Sequence, residues 1–530
     1  MKKAMLIVFL SLAFHAFAQT GRNTTLIGNL DYGSGSFTND VWGYTDPSGN
    51  DYALVGRRTG VSIVRVESTG LTEVDFVPGI SSIWRDIKTH DHYAYVTNES
   101  GNGLDIIDLS ALPNSVGFVG ADTTVFKRAH NLYIADGYAY ISGSNAAGGA
   151  DILDLVNPEA PVKVGEWTGH SFHDIYVRND TLYGSAGSNP VLVLLDVSDK
   201  TQPALIVEIF FPNGGLVHNA WTTEDGKYVM TTEETRRKTV KMWDIQDPLN
   251  AKIVGEYLAF PSQLAHNTHI KGDYAYISHY ADGVRIVDIA DPTHLVEVGY
   301  YDTFPDNTGG LYEGNWGAFP FTSSGYIYVT DEDFGLFVVS FNGRRAGRLS
   351  GKVLDAQSGL AVSNVTIEVT APEQSTTSDA EGHYKLGFSD PGLFTILAYR
   401  SSYDTTRFTF NAGEGESKTF DIMMSSVTSI DQEKSVIPTA YSIEQNYPNP
   451  FNPSTTIRYS LPEKTHVRLK IFDTLGGEVR VLFDGEQLQG EHQSSWNGRD
   501  NFGRRVASGV YFYRIETAAF RKTTKMLFIQ

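Results

Sequence analysis

AHNTHIKGDYAYISHYADGVRIVDIADPTHLVEVGYY, from Ala265 to Tyr301, decides the fold, because variants of this stretch recur through the first 340 residues of the chain. Each repeat opens on Asn or Asp, usually behind a His, and continues through a Tyr-rich segment, an apolar run ending in Asp and a Val-Gly segment. The opening residues stand 43 to 48 positions apart and are Asp40, Asp86, Asn131, Asp174, Asn219, Asn267 and Asn315. A repeat of this length made of short strands predicts a β-propeller.

The segments inside each repeat predict four strands. The Tyr-rich segment alternates strictly, as in YAYVT from Tyr93 and YAYIS from Tyr138, and this is the period of a half-buried strand. The apolar run, as in LDIIDL from Leu104 and VRIVDI from Val284, predicts a strand that is covered on both faces. The sequence therefore predicts an all-β protein in which residues 19–342 form a seven-bladed β-propeller.

A strand near the N-terminus is expected to complete the last blade. The seventh repeat ends at Leu336 to Phe341 without a Val-Gly segment, whereas LIGNLDYG, from Leu26, precedes the first opening residue, Asp40. If these two segments pair, two sheet edges that invite aggregation are removed.

Composition and charge exclude several classes of function. The 530-residue chain has a formal net charge of -20, which argues against nucleic-acid binding because phosphate contacts need a basic surface. It contains no Cys, so disulfides, thiol nucleophiles and thiolate metal sites are excluded. After the N-terminus no apolar stretch is long enough to cross a bilayer. The opening MKKAMLIVFLSLAFHAFAQ predicts a signal peptide, residues 1–18, that is cleaved after Ala18.

The repeats resemble a known extracellular family. The apolar run ending in Asp resembles the LVIVD repeat, and the whole array resembles the proteins of the choice-of-anchor B family. The first and seventh repeats depart from the pattern, because Arg65 and Ser340 stand where the other repeats have Asp. The resemblance implies a propeller on the cell exterior and implies no particular activity.

Two further domains are predicted after the propeller. Residues 347–424, with TSDAEGHY from Thr377, resemble a carboxypeptidase-regulatory-like module, which implies a β-sandwich that serves as a spacer. A polar linker spans residues 425–440. Residues 441–530, with QNYPNPFNPS, WNGRD and SGVYFY in that order, resemble the type A C-terminal sorting domain of type IX secretion substrates. This resemblance implies that residues 441–530 engage the type IX secretion machinery, and that the protein is secreted or held at the cell surface.

Four histidines mark a candidate ligand site. In consecutive repeats a His stands directly before the opening residue, at His130, His173, His218 and His266. Because the first strand of each blade lines the channel of a propeller, these imidazoles are expected at one level of the channel. The second strands are antiparallel to the first and end at the same opening, where they bring Glu99, Glu233, Glu234, His279, Asp331 and Glu332.

Two interpretations of this cluster are open. The imidazoles, with Glu233 and His279, are ligand types that zinc or another divalent metal prefers. Alternatively, the histidines hydrogen-bond adjacent blades to one another. The ring of opening Asn and Asp residues is interpreted as structural, because short polar side chains cap turns at strand ends.

Two functions follow from these interpretations. The first is a non-enzymatic binding or adhesion module for an extracellular protein or glycan. Trp42, Trp84, Trp221 and Trp316 lie within two residues of opening positions, where they either present a stacking surface or fill gaps between blades. The second is a metal-dependent hydrolase in which the open side of the metal holds water. The sequence contains no HExxH, GxSxG or Gly-rich phosphate loop, and it assigns no catalytic residue.

Overall fold

The computed structural model describes residues 21–33, 35–260, 262–305, 310–427, 438 and 440–529. The chain divides into two compact units, Met1–Ser425 and Ser426–Gln530. The predicted signal peptide and most of the predicted linker lie outside the described residues. Among the described residues, no helix combines the length and the apolar character that a membrane crossing requires. The described secondary structure is almost entirely strand, which confirms the all-β prediction.

The first part of the first unit consists of antiparallel sheets that follow one another along the chain. Its N-terminal strands are β1 (Gly21–Arg22) and β2 (Thr24–Leu30). Three four-stranded sheets come next, made of β3 (Thr38–Thr45), β4 (Asp51–Arg57), β5 (Gly60–Glu67) and β6 (Gly70–Pro78); β7 (Arg85–His90), β8 (Tyr93–Asn98), β9 (Leu104–Asp108) and β10 (Gly117–Asp122); and β11 (Asn131–Ala135), β12 (Tyr138–Ser142), β13 (Ala150–Asp154) and β14 (Val162–Trp167).

The following sheets repeat this plan, with one short 3-10 helix at Pro248–Asn250. They consist of β15 (Asp174–Arg178), β16 (Thr181–Ser185), β17 (Val191–Asp196) and β18 (Ala204–Phe210); β19 (Val217–Thr222), β20 (Tyr228–Glu233), β21 (Val240–Asp244) and β22 (Lys252–Tyr257); and β23 (Thr268–Lys271), β24 (Tyr274–Ser278), β25 (Val284–Asp288) and β26 (Val296–Tyr301), to which β1 adds. The last sheet contains β27 (Asn315–Phe319), β28 (Ile327–Asp331) and β29 (Gly335–Phe341), and β2 pairs with β29.

The sheets stand around a central axis. The first strand of each sheet contacts the first strand of the next, and β27 contacts β3. The inner strands are short and largely buried, whereas outer strands such as β18 expose Leu205 and Phe210. The N-terminal strand takes the position that its sequence predicts, because Thr24 lies opposite Phe341 and Leu30 opposite Leu336 in the pairing of β2 with β29.

The Val-Gly segment of the repeat has a structural cause. In the outer strand a β-bulge directly precedes the Gly. Ile152 of β13 pairs with Gly165 whereas Leu153 pairs with Lys163, and the same irregularity occurs beside Gly255. A Cβ atom on Gly165 would lie 1.9 Å from the Lys200 carbonyl oxygen, and one on Gly255 would lie 2.2 Å from that of Pro292. The turn of the next sheet therefore approaches the bulge so closely that only Gly leaves room.

The Asp that ends the apolar run caps the turn after it. Its side-chain oxygen accepts a hydrogen bond from the backbone N–H two residues further on, at 2.7 to 3.1 Å, in the pairs Asp108–Ser110, Asp154–Val156, Asp196–Ser198, Asp244–Gln246 and Asp288–Ala290. The repeat motif is thus a buried strand followed by its own Asx turn.

The first unit ends in a small two-sheet module. Its strands are β30 (Gly347–Asp355), β31 (Thr366–Thr370), β32 (Glu373–Thr377), β33 (His383–Phe388), β34 (Gly392–Tyr399), β35 (Thr406–Ala412), β36 (Ser417–Thr419) and β37 (Ile422–Met424). Strand β30 pairs with β33, β36 and β37, and the second sheet has the order β32-β31-β34-β35. Val353, Ile367 and Ile396 are fully buried between the sheets.

The second unit is another small two-sheet domain. Its strands are β38 (Ser442–Ile443), β39 (Thr455–Leu461), β40 (Thr465–Phe472), β41 (Glu478–Gln487), β42 (Gly490–Trp496), β43 (Gly509–Glu516) and β44 (Arg521–Phe528). The sheets have the orders β38-β39-β42 and β41-β40-β43-β44. Tyr459, Trp496 and Tyr513 form its core with aliphatic residues of both sheets.

Candidate functional site

A cavity of about 640 Å³ opens at one end of the central axis. We call it the channel cavity; it is lined by Phe37, Ile83, Trp84, Glu99, His130, Gly143, Phe172, His173, His218, Glu234, His266, Tyr280, Tyr312, Trp316 and Glu332. All four histidines that precede opening residues line it. Concave sites with convergent polar groups are where ligands bind most often.

The four histidines form a continuous row. Ring centroids are 4.1 Å apart between His130 and His173, 4.2 Å between His173 and His218, and 4.2 Å between His218 and His266. We call these four residues the imidazole row. The backbone N–H of three of these histidines donates to the carbonyl of the last residue of the second strand in the same sheet. The pairs are His130–Ser142, His173–Ser185 and His266–Ser278.

Hydrogen bonds orient three of the rings. Nδ1 of His266 lies 2.7 Å from the Trp316 carbonyl oxygen, which can only accept, so Nδ1 carries the proton and Nε2 keeps its lone pair. Nδ1 of His130 lies 2.6 Å from Glu99, and Nδ1 of His173 lies 3.0 Å from Asp174. An imidazole whose other nitrogen donates to an oxygen is the arrangement found in metal-binding histidines.

Asp174 controls the charge of the row. Burial favours the neutral acid, but the hydrogen bond and charge of the neighbouring His173 ring help to outweigh burial, and the pKa of Asp174 is lowered. For His173, burial opposes the charged form and the hydrogen bond to Asp174 outweighs it, so the pKa of His173 is raised. Burial lowers the pKa of His218 and of His266, which keeps both rings neutral. Neutral imidazoles are the form that binds metal.

Carboxyl groups complete the lining. Glu99, Glu234 and Glu332 reach the cavity from the ends of three second strands, and the lining residues that the structure describes include no Lys or Arg. Burial is the main reason that the pKa of Glu332 is raised to about 9, and the nearby carboxylates Asp333 and Asp331 raise it further. The cavity therefore suits a cation better than an anion.

Three residues expected at this opening face elsewhere. Glu233 contacts Lys241 and accepts the Gly215 N–H at 2.5 Å. His279 lies 2.9 Å from Asp282, and Asp331 accepts the Thr303 hydroxyl at 2.6 Å. Successive side chains along a strand point to opposite faces of the sheet. Strand β20 ends at Glu233 and β28 at Asp331, so the side chains of the next residues, Glu234 and Glu332, point to the face that lines the cavity.

Two clusters of side chains at the cavity have ligand atoms close enough together to hold a metal ion. One ligand atom from each of His130, His173 and Asp174 lies within 4.8 Å of the others, and the same holds for His218, Glu234 and His266. The sequence-based set of four histidines with Glu233 and His279 is therefore divided in two, and Glu234 stands where Glu233 was expected. A third group, Asp379, Glu381 and His383, is exposed in the module of residues 347–424.

The opening Asn and Asp residues connect neighbouring sheets. Three of these side chains each accept a hydrogen bond from a backbone N–H of the next sheet, and the donor is the residue directly after that sheet's opening residue. The pairs are Asp40–Ile87 at 3.1 Å, Asn131–Ile175 at 3.0 Å and Asn219–Thr268 at 3.2 Å. Bonds of this kind satisfy buried backbone groups that the sheets leave unpaired.

The remaining opening residues extend the network. Asn131 donates to Asp86 at 2.5 Å and Asn219 donates to Asp174 at 3.2 Å. Asn315 donates within its own sheet to the carbonyls of Gly317 and Thr330, each at 2.9 Å. Oδ1 of Asn267 is buried and has no hydrogen-bond partner among the described residues.

The sequence missed two features of the site. A buried Lys88 lies beneath the imidazole row, paired with Asp86 and 3.5 Å from Asp40. Phe37, Tyr280 and Tyr312 join Trp84 and Trp316 in the lining, whereas Trp42 and Trp221 pack below it around His269. The repeat register is the signal that could have found Tyr280, because it stands six residues after the Tyr that opens its Tyr-rich segment, as Glu99, Glu234 and Glu332 do in theirs.

Comparisons with protein families support the domain types. The LVIVD repeat family matches residues 84–121 and 264–303, the carboxypeptidase regulatory-like domain matches residues 348–425, and the FlgD Ig-like domain matches residues 452–519. The chain is thus a β-propeller-like repeat protein with LVIVD repeats and small β domains at its C-terminus. No curated protein gives a significant match.

Solved structures give distant likenesses. Hydrazine synthase of Kuenenia stuttgartiensis is 13% identical, with a TM-score of 0.44, over 58% of this chain and 97% of its own. A putative 6-phosphogluconolactonase of Bacteroides fragilis is 12% identical, with a TM-score of 0.43, over 66% and 97%. YCF48 bound to D1 peptide is 8% identical, with a TM-score of 0.43, over 59% and 94%. Likenesses this distant carry no argument about activity.

Proposed function

We propose that this protein is a secreted or cell-surface binding module, and that its ligand, an extracellular protein or glycan, inserts a group into the channel cavity. The observation that carries the proposal is the composition of one cavity of about 640 Å³, which gathers four imidazoles, three carboxyl groups and six other aromatic side chains from several sheets. A pre-formed pocket with apolar walls and few polar groups is typical of specific binding.

A ligand screen with matched variants tests this proposal. The full chain is applied to arrays of glycans and of extracellular peptides, beside the double variant His130→Ala/His218→Ala and the control His90→Ala/His92→Ala, whose histidines lie outside the cavity. Binding that survives in the control and disappears in the first variant supports the channel cavity as the site. Equal binding by both variants, with unchanged melting temperatures, places the ligand elsewhere and contradicts the proposal.

A metal-dependent hydrolase is the second candidate. It is favoured by His218, Glu234 and His266, whose ligand atoms lie within 4.8 Å of one another, and by the Nε2 lone pair that His266 keeps. Two His and one Glu are a ligand set of catalytic zinc, which lowers the pKa of a bound water. Protein purified without chelator should contain about one divalent ion per chain, and Glu234→Gln should lose it. Metal-free wild-type protein would contradict this candidate.

We also propose how the domains are built and what the C-terminal domain does. We infer a closed, seven-bladed propeller of the choice-of-anchor B type, supported by the contacts between β27 and β3 and by the pairing of β2 with β29. We also infer that residues 441–530 act as a type IX sorting domain, supported by the resemblance of their motifs and by the Ig-like match at residues 452–519. Deleting residues 441–530 should retain the protein inside the cell; unchanged delivery to the surface would contradict the sorting role.

A further inference from the structure

Aromatic rings continue the cavity lining beyond the imidazole row. Trp316 lies 4.8 Å from His266 between ring centroids, Phe37 lies 6.2 Å from Trp316, and Tyr280 lies 6.5 Å from Trp316 at nearly a right angle. Together with Trp84 and Tyr312 they form what we call the aromatic wall. The faces of such rings carry negative electrostatic potential and attract cations.

Glu332 is built into this wall by backbone hydrogen bonds. Its N–H donates to the Gly314 carbonyl at 2.9 Å, and its carbonyl accepts the Thr38 N–H at 3.1 Å. These bonds place Glu332 beside the start of β3 and the residue before β27, and Phe37 and Trp316 line the same cavity. The side chain is buried, with 7% of Glu332 exposed, and its carboxyl group has no hydrogen bond or ion pair among the described residues. A carboxyl group that faces a cavity and has no protein partner is free to pair with a ligand there.

Glu234 adds a second carboxyl group at the other end of the wall. It accepts the Tyr280 hydroxyl, which turns the Tyr280 ring toward Trp316. Among the described lining residues there is no Lys or Arg, so neither carboxyl group pairs with a basic side chain of that lining. Aromatic faces combined with acidic side chains are the arrangement that proteins use for ammonium groups.

We propose that the channel cavity binds its ligand through an alkylammonium group that lies against Trp84 and Trp316 and pairs with Glu332. The Phe37 ring lines the same cavity but already has the Arg58 guanidinium 5.6 Å from its centroid. The proposal rests on the proposed role as a binding module and names the chemical class of its ligand. The ammonium belongs either to a free amine or to a lysine side chain of an extracellular protein.

Binding of this kind releases a proton. Burial raises the pKa of Glu332 to about 9, with further contributions from Asp333 and Asp331 on its own strand end, from Glu313 before β27 and from Glu234 after β20. The carboxyl group is therefore neutral in the empty cavity near pH 7, and an ammonium group converts it to the carboxylate. The released proton is taken up by the buffer, so the measured heat of binding should change with the ionisation enthalpy of the buffer.

Calorimetry with defined amines tests the proposal. The probes are tetramethylammonium, choline, cadaverine and acetyl-lysine methylamide, with the neutral isostere of choline, in which carbon replaces nitrogen, as the matched control ligand. We expect choline or one of the primary amines to bind and the isostere to bind at least about tenfold more weakly. Preference for acetyl-lysine methylamide over cadaverine assigns the ammonium to a protein side chain, and the reverse order assigns it to a free amine.

Variants separate the ammonium contact from general packing. Glu332→Gln should weaken the best amine about 10- to 100-fold and abolish proton release. Trp84→Leu, at a partly exposed position that tolerates substitution, should weaken it about 2- to 30-fold. Glu166→Gln, at an exposed position of β14, should change neither the affinity for the amine nor the proton release.

Three results would overturn the inference. They are equal binding of the neutral isostere, unchanged affinity in both Glu332→Gln and Trp84→Leu, and binding of Zn²⁺ alone with no amine bound. If glycans or peptides without an amine still bind in a manner that needs His130 and His218, the binding module stands and only the ammonium contact fails. If nothing binds in the cavity, both proposals fail.

Discussion

His269 is a buried residue that contributes to the acid sensitivity of this protein. Its ring lies 4.7 Å from Trp221 and 6.0 Å from Phe321 between centroids, and Nδ1 is buried without a hydrogen-bond partner among the described residues. Burial, and next the charge of Lys88, lower its pKa to about 3. His269 is therefore a core histidine, one layer below the imidazole row.

Acid unfolding should depend on this residue. Below about pH 6.5 the unfolded chain protonates His269 and the folded chain does not, so stability present above pH 6.5 is lost as the pH falls toward 3. Each such group contributes a slope of up to about 1.4 kcal/mol per pH unit. In His269→Phe, urea unfolding at pH 7 and pH 5 should show a slope reduced by about that amount. The exposed His383→Phe controls for the exchange itself, and equal slopes in wild type and His269→Phe would contradict the prediction.

At the scale of the strand, the Val-Gly bulge is the joint between sheets. Gly255→Ala places a Cβ atom 2.2 Å from the Pro292 carbonyl oxygen, whereas a Cβ atom on Gly120, at the same point of another outer strand, meets nothing within 4 Å. We expect Gly255→Ala to lower the free energy of unfolding by about 1–3 kcal/mol and Gly120→Ala to leave it nearly unchanged. Chemical denaturation of both variants checks this, and equal losses would show that the bulge, not the close approach, requires Gly.

Strand β2 closes the ring of sheets at a second joint. Without it β29 presents an unpaired edge, which invites association with other chains. A chain that lacks residues 21–31 should melt at a lower temperature and form oligomers, as measured by light scattering during a thermal scan. A shortened chain that stays monomeric with the melting temperature of the full chain would contradict this role of β2.

At the scale of the whole molecule, one repeat Asp holds the following module. Asp288 is fully buried and accepts hydrogen bonds from Arg348 at 2.8 Å, from the Ala346 N–H at 2.9 Å and from Arg345 at 3.1 Å. Arg345 and Ala346 directly precede the module of residues 347–424, and Arg348 lies on its first strand, β30. Lys385 also donates to the Thr293 carbonyl at 2.6 Å. The module is therefore docked on the propeller-like repeats.

Removing this carboxylate should separate the two parts. Asp288→Ala leaves Arg348 buried without its partner and should cost about 3–5 kcal/mol. We expect residues 1–425 to unfold in one calorimetric transition in the wild type and in two in this variant. Asp154→Ala is the matched control, because Asp154 caps the equivalent turn but makes no contact with the module. A shift of the same size in both variants would mean that the turn, and not the docking, carries the stabilisation.

The amino-acid sequence by itself determined the all-β class, the repeat, the strand that pairs with the last sheet and the four imidazoles of the cavity. These features are local, since a period-two pattern, turn residues and a recurring His can be read along the chain. Only the tertiary structure decided that Glu234 and Glu332, not Glu233 and Asp331, face the cavity, because a shift of one residue moves a side chain to the opposite face of a strand. It alone placed Phe37 and Tyr280 beside Trp316, since those contacts join residues of different sheets.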